Sequence, residues 1–266
     1  MTKLIIKYLF LIFVGFIYTD PFESTYEPLP PENILIKNGN IYDGEGNEFL
    51  QTDLLIQDRQ IIAIGKDLPV STNFRTIDAT NKWITPGIID IHSHMGVYPA
   101  PGVSTSADGN EATSPVTADV WAEHSIWVQD PQYALALKGG VTAFHILPGS
   151  ANLIGGRGVT VKNLQRNTIN SMKFPDAPHS LKMACGENPK RVYGNRQQAP
   201  STRMGNAAGY RKSWIEAEAY LSRLIEYEEK SDEAKELAYK PQRNLEMDTL
   251  AAVSYTHLTL PTSDLV

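Results

Sequence analysis

The chain reads Ile89-Asp90-Ile91-His92-Ser93-His94 just after Thr85-Pro86-Gly87, and this stretch decides the fold. Its apolar, β-branched residues predict a strand, and side chains on a strand alternate between two sides. His92 and His94 are therefore expected on one side, where two imidazoles can share a metal ion, with Ile89 and Ile91 packed on the other. Asp90 shares the side of the histidines, and we expect it to orient an imidazole by accepting its other N–H.

A His-x-His pair by itself is also compatible with solvated or buried histidines that bind no ion. The surroundings of this pair favour ligands, because the apolar run leads directly into it, and Gly96 and a long polar loop follow. The strands of a (β/α)8 barrel deliver their active-site residues at their C-terminal ends in this way. The stretch therefore predicts the metal-binding end of a barrel strand.

Strand-like and helix-like stretches alternate along the chain from Trp83 onward, and this alternation favours a parallel barrel. One helix is predicted at Pro131 to Lys138, and another is predicted to begin at Ser213, where Ser-Trp-Ile-Glu matches a capping box. The predicted strands are 88–92, 141–147, 159–161 and 180–184.

The preceding stretch, residues 33–83, predicts a small β domain. Asn38-Gly39 is a hairpin-type dipeptide between two short strands, and the polar turn 57–60 separates two more. We assign this domain a structural role and no chemistry.

The stretch Pro86-Gly87-Ile88-Ile89-Asp90-Ile91-His92-Ser93-His94 resembles the first-strand signature of the metal-dependent amidohydrolase superfamily. The segments 139–143, 146–156 and 182–191 resemble the branch related to imidazolonepropionase and exported dipeptidases. The resemblance implies an α/β fold, a partial TIM (β/α)8 barrel at 84–253 preceded by a small β-sandwich-like domain. It also implies hydrolysis of amide-type C–N bonds, in dipeptides or cyclic amides, by water activated by one or two divalent metal ions, with zinc the best candidate.

Lys182 and Glu187 are the candidates for completing the metal site, because two histidines leave an ion undercoordinated. Lys182 lies in a predicted strand, where a charged ammonium beside cations is costly. The resemblance implies that this lysine is carboxylated by CO2 and that the carbamate bridges two metals. Glu187 is the competing bridge, because some related enzymes use a glutamate at this stage of the barrel. A lysine that reaches solvent or pairs with an acid is the alternative.

Arg157 is the candidate for binding a substrate carboxylate, and a solvated loop arginine is the alternative. The glycines around it lack the ending of a phosphate-binding loop. His124, His145 and His179 are predicted to be core or surface histidines. The resemblance implies that the catalytic aspartate and two further histidine ligands lie beyond residue 266.

The length and composition fit an enzyme, and the resemblance implies a small amide or peptide as its substrate. The net charge is −6 and the chain has no basic block, which argues against nucleic acid as a partner. Self-association is left open. Residues 1–19 predict a signal peptide or an N-terminal anchor and residues 20–32 a linker, so we expect export, with the periplasm as the compartment.

The last residues, 254–266, do not continue the resemblance and read as a non-native tail. About four or five barrel strands are visible where a closed barrel needs eight. We therefore expect this chain to be part of a longer enzyme and to be inactive alone. The alternative is an inert fragment or a noncatalytic envelope protein that keeps half the fold.

Overall fold

The computed structural model describes residues 22–69 and 72–257. The predicted leader, 1–19, and the tail residues 258–266 lie outside this range. Two compact units form. The smaller comprises Glu27–Ile89 and Gly140–Thr142, and the larger comprises Asp90–Gly139, the chain from Ala143 onward and the described residues up to Tyr26.

The smaller unit is built on a mixed five-stranded sheet. The strands are β1 Ile34–Tyr42, β2 Glu48–Gln57, β3 Gln60–Gly65, β4 Arg75–Asp78 and β5 Trp83–Ile84. Their order in the sheet is β3-β2-β1-β4, with β5 also paired to β1. β1 is antiparallel to β2 and parallel to β4 and β5. Leu35, Ile41 and Leu54 are buried in the core of this unit.

The hairpin predicted at Asn38-Gly39 is wrong, because β1 continues through both residues. The pairing with β2 is irregular at this point, and Asn38 takes a φ of 57°, which fits a β-bulge. A Cβ on Gly39 would lie 2.4 Å from Cδ1 of Ile84, so a larger residue here would require that side chain to move. The predicted polar turn between β2 and β3 is confirmed, with Asp58 and Arg59 both at positive φ.

A four-stranded sheet carries the candidate site. Its strands are β6 Ile88–Ser93, β7 Val141–Ile146, β8 Ile154–Lys162 and β9 Ser180–Met183, in the order β6-β7-β8-β9. Backbone bonds from Ile88 N–H to the Gly140 carbonyl and from Leu147 N–H to the Ser93 carbonyl show that β6 and β7 run in the same direction. β8 is antiparallel to both β7 and β9, so β7 and β9 also share that direction.

The predicted fold class, α/β with a partial barrel, is confirmed, but one predicted barrel strand differs. The stretch 159–161 belongs to β8, which runs against its neighbours instead of continuing the parallel series. The connection from β7 to β8, residues 147–153, contains no helix. A parallel pairing needs a crossover of about a dozen residues or more, so this short connection requires an antiparallel strand.

The described residues form five α-helices and two 3-10 helices. The helices are α1 Gln132–Lys138, α2 Glu187–Gly194, α3 Arg203–Glu228, α4 Asp232–Leu237 and α5 Leu245–His257, with 3-10 turns at Ser104–Ser106 and Ala122–His124. α1 confirms the helix predicted at Pro131 to Lys138. α3 and α5 pack Trp214, Ala217 and Leu250 against Leu153 and Ile154. No helix in the described ranges is both long and apolar enough to span a membrane.

The capping box predicted at Ser213 is wrong. α3 begins at Arg203, and the Thr202 side chain caps it by accepting the Gly205 N–H at 3.0 Å. Ser213 lies in mid-helix, where its hydroxyl donates to the Gly209 carbonyl at 3.0 Å. A helix that is already propagating adds each further turn cheaply, so the second capping signal does not start a new one.

Candidate metal centre

Three nitrogen-bearing side chains converge in the larger unit. Lys182 Nζ, from β9, lies 3.1 Å from His92 Nε2, at the end of β6. The rings of His92 and His94 are centred 5.4 Å apart and stand almost perpendicular, at 89°. The structure therefore brings together His92, His94 and Lys182, although Lys182 is 90 residues away from His92 in the sequence.

His94 is held in a defined orientation by a backbone carbonyl. Its Nδ1 lies 2.8 Å from the carbonyl oxygen of Leu147. Because that oxygen can only accept, Nδ1 carries a hydrogen, and in the neutral ring Nε2 is the nitrogen with the free lone pair. Leu147 is fixed in turn, since its N–H donates to the Ser93 carbonyl at 2.9 Å. A partner of this kind sets the tautomer and ring orientation of a metal-binding histidine.

The electrostatics of the site favour neutral nitrogen donors. The pKa of His92 is lowered chiefly by the charge of Lys182, then by burial and by His94, while Asp90 acts in the opposite direction. The pKa of Lys182 is lowered by burial, and only 7% of this residue is exposed. Neutral imidazoles bind cations, and a neutral amine is the form that reacts with CO2.

The two imidazoles among these donors fit a borderline-soft divalent ion such as zinc. No group of three or more His, Cys, Asp or Glu side chains within residues 22–69 and 72–257 is arranged to hold a metal. Lys182 is the candidate ligand that the described contacts place beside His92.

Two expectations for β6 are wrong. Asp90 accepts the backbone N–H of His92 at 3.1 Å, and no imidazole N–H among the described contacts. Ile89 and Ile91 are 62% and 75% exposed, so the described residues leave these two side chains largely uncovered. The side chains of β6 alternate between two sides as expected, but the described part of the chain does not cover Ile89 and Ile91.

Glu187 is the first residue of helix α2. Gly186 is the N-cap of this helix. The Glu187 carboxylate accepts from Arg191 Nε at 2.8 Å, in a surface pair whose side chains are 61% and 57% exposed. The described contacts do not join Glu187 to the convergent nitrogens, and its role as a bridge stays a prediction.

Arg157 is held by contacts inside the protein. Its guanidinium carbon lies 4.5 Å from the ring centroid of Trp121, and its Nε and Nη2 donate to Thr249 Oγ1 at 3.2 and 3.1 Å. Arg157 pairs with Leu181 and Gly156 pairs with Lys182, so Arg157 projects from the opposite face of the sheet to Lys182. Its role in binding substrate stays a prediction.

The substitution Arg157→Met separates these two roles. It removes the guanidinium while keeping much of the side-chain volume. We expect a loss of about 1–3 kcal/mol in the free energy of unfolding, measured in urea, because the Trp121 and Thr249 contacts are lost. The exposed Arg211→Met is the control. A raised KM with unchanged unfolding would instead support substrate binding.

The structure also defines the surroundings of His124, His179 and His145. His124 stacks on Trp121, with ring centroids 5.7 Å apart, and His179 Nε2 lies 3.1 Å from Glu123 Oε2. The interpretation of His124 and His179 as core or surface histidines stays a prediction. His145 is half-buried in β7 and has hydrogen-bond partners at both ring nitrogens. A cavity of about 470 Å³ borders the loops after β6 and β7, with Val97 and Pro148 in its wall.

The chain is similar to known proteins in both sequence and structure. No family model matches the chain. It is 34% identical over 228 residues to amidohydrolase tasK of Hapsidospora irregularis, a match that covers 78% of this chain and 23% of that protein. A solved structure of an amidohydrolase from Thermotoga maritima MSB8 has a TM-score of 0.71 and 36% identity, covering 84% of this chain and 55% of the other.

The comparisons support the amidohydrolase superfamily. A dihydroorotase from Ligilactobacillus salivarius (strain UCC118) is a further relative, 49% identical over 70 residues, which are 26% of this chain and 15% of that protein. This chain thus spans about half the length of its matched structural neighbour and about a quarter of the H. irregularis amidohydrolase.

Proposed function

We propose that this chain carries the metal-binding part of a hydrolase that acts on amide-type C–N bonds. The observation that carries the proposal is the convergence of His92, His94 and Lys182, in a fold shared with the T. maritima amidohydrolase over 84% of the chain. The named relatives favour a hydrolase over a noncatalytic envelope protein or an inert fragment. The activity is proposed for the complete protein, because the chain spans only part of these relatives.

The proposed substrate is a small amide, either a dipeptide or a cyclic amide. The dihydroorotase relative favours a cyclic amide, whereas the sequence resemblance to exported dipeptidases favours a peptide. We further propose that the chain belongs to the imidazolonepropionase-related branch and continues in a longer protein, and that it is exported to the periplasm. Export rests on the apolar segment within residues 1–19, which lies outside the described residues.

Lys182 is proposed to act as a carbamate. The neutral Nζ attacks the carbon of CO2, and a new N–C bond forms while one C–O π bond opens and its electron pair moves to oxygen. One proton leaves the nitrogen for solvent, so the product carries one negative charge. Burial of Lys182 favours the neutral amine that this step needs. The carbamate oxygens together with His92 and His94 would then hold one or two divalent ions. When bound, such ions supply Lewis-acid activation of water and of the substrate carbonyl.

His94 and Leu147 prepare the site before any ion binds. The carbonyl of Leu147 holds the His94 ring with its Nε2 lone pair available. This orientation lowers the entropic cost of binding, because the ring has one tautomer and one direction before the ion arrives. The chain's own contribution to catalysis is therefore the placement of two imidazoles and one modified amine.

Elemental analysis of the protein expressed from its complete gene tests this function. We expect about two divalent ions per chain, principally zinc, and hydrolysis of members of a panel of dipeptides and cyclic amides. Removal of the ions by a chelator should abolish turnover, and added zinc should restore it. Full turnover by protein that contains no metal would contradict the proposal.

A further inference from the structure

One imidazole links three neighbouring strands beside the candidate metal centre. His145, in β7, has its Nδ1 3.0 Å from Thr160 Oγ1 of β8 and its Nε2 2.6 Å from Ser180 Oγ of β9. Ser180 is separated from Lys182 by a single residue on β9, which is only four residues long. β9 is also the last strand in the described sheet order.

The register of the sheet puts these groups on one face. His145 is paired with Thr160, Gly158 with Ser180, and Gly156 with Lys182. Alternate residues of a strand share a face, so Ser180 and Lys182 project from the same side. A displacement of Ser180 therefore displaces the backbone that aims Lys182 at His92.

Gly158 leaves room for His145 to reach across β8. A Cβ on Gly158 would lie 2.7 Å from Ser180 Oγ and 2.5 Å from Cδ2 of Leu147. Any side chain at this position would therefore occupy the space that the His145–Ser180 hydrogen bond uses. The glycine and the histidine together form a built contact between two strands that are not themselves neighbours.

A neutral imidazole satisfies both hydrogen bonds. One ring nitrogen donates and the other accepts, and each hydroxyl partner can do either. The pKa of His145 is lowered by burial and then by His179 and His92, in agreement with a neutral ring. The contact therefore places no additional positive charge beside a site proposed to hold cations.

We propose that His145 is a positioning residue for the metal site, which fixes Lys182 opposite His92 by holding Ser180. This inference rests on the proposed function, because it assumes that Lys182 is a ligand. His145 acts through Ser180 and β9, and it is not itself proposed as a ligand.

The pair His145→Asn and His145→Gln tests the inference in the protein expressed from its complete gene. The shorter side chain of asparagine can still reach Thr160 but not Ser180. The amide of glutamine can take the position of His145 Nε2 and so can still reach Ser180. We expect His145→Asn and Ser180→Ala each to weaken zinc binding roughly 10- to 100-fold in chelator competition, as substitutions behind metal ligands do. His145→Gln should keep most of the wild-type zinc affinity. The double variant His145→Asn/Ser180→Ala should bind zinc about as tightly as the weaker-binding single variant.

The control is His124→Asn, at a histidine whose side chain is 55% exposed. It should leave zinc affinity unchanged.

Thermal unfolding of the metal-free variants separates a positioning role from a purely structural one. Variants that lower the thermal midpoint without weakening zinc binding overturn the inference, and so does a glutamine variant as weak as the asparagine variant. Wild-type protein that binds no zinc overturns the proposed function and this inference together, whereas zinc binding that is equal in wild type and His145→Asn overturns the inference alone.

Discussion

Replacing Lys182 with alanine is expected to abolish the shared metal site and to lower turnover by about a thousandfold or more. Lys182 is the described residue that joins His92 from across the sheet, at 3.1 Å. Lewis-acid stabilisation is worth several kcal/mol, and about 4 kcal/mol corresponds to roughly a thousandfold in rate. Metal content by elemental analysis and turnover on the best substrate of the amide panel measure the two effects.

Short-chain carboxylates provide the positive control for Lys182→Ala. Acetate or propionate can enter the space left by the side chain and supply oxygen ligands, so partial rescue of metal content and turnover is expected. Glu187→Ala is the matched variant at the competing bridge. It should change metal content and turnover little, because Glu187 lies in an exposed pair with Arg191. Wild-type turnover in Lys182→Ala together with loss in Glu187→Ala would reverse the assignment.

Lys173→Met is expected to produce the largest loss of stability. Lys173 Nζ lies 2.8 Å from Glu123 Oε2, and the two side chains are only 4% and 1% exposed. Lys173 also donates to the carbonyl of Phe22, and His179 lies 3.1 Å from the same carboxylate. Removing one partner of a buried ion pair leaves an uncompensated charge, so we expect a loss of about 3–5 kcal/mol in the free energy of unfolding, measured in urea.

Lys212→Met is the matched control for this substitution. Lys212 pairs with Glu216 at 3.8 Å on the surface of α3, where the side chains are 76% and 51% exposed. Water and salt screen such a pair, so its removal should change stability far less. Equal losses in the two variants would show that burial of the Glu123–Lys173 pair does not determine its contribution.

The local features of the site were predictable from the sequence. Two histidines separated by one residue follow directly from strand alternation, and the structure places His92 and His94 side by side. The prediction that Lys182 joins His92 required the family resemblance, because a contact between residues 90 positions apart has no local signature. The same resemblance supplied the barrel, of which the described chain forms the first strands.

The remaining features depend on tertiary geometry. The direction of β8 follows from the short connection 147–153, a signal that was present in the sequence but needed accurate strand ends to be used. The contact between His145 and Ser180 depends on the register of three strands and on Gly158 at their centre. Ser213 carries a genuine capping pattern, but the helix had already begun at Arg203.

Anomalous diffraction at the zinc edge, from crystals of the protein expressed from its complete gene, tests the central claim most directly. We predict a zinc peak about 2.1 Å from a ring nitrogen of each of His92 and His94, and electron density for a carbamate continuing from Lys182 Nζ. An unmodified Lys182 with zinc bound away from these three residues would contradict the account.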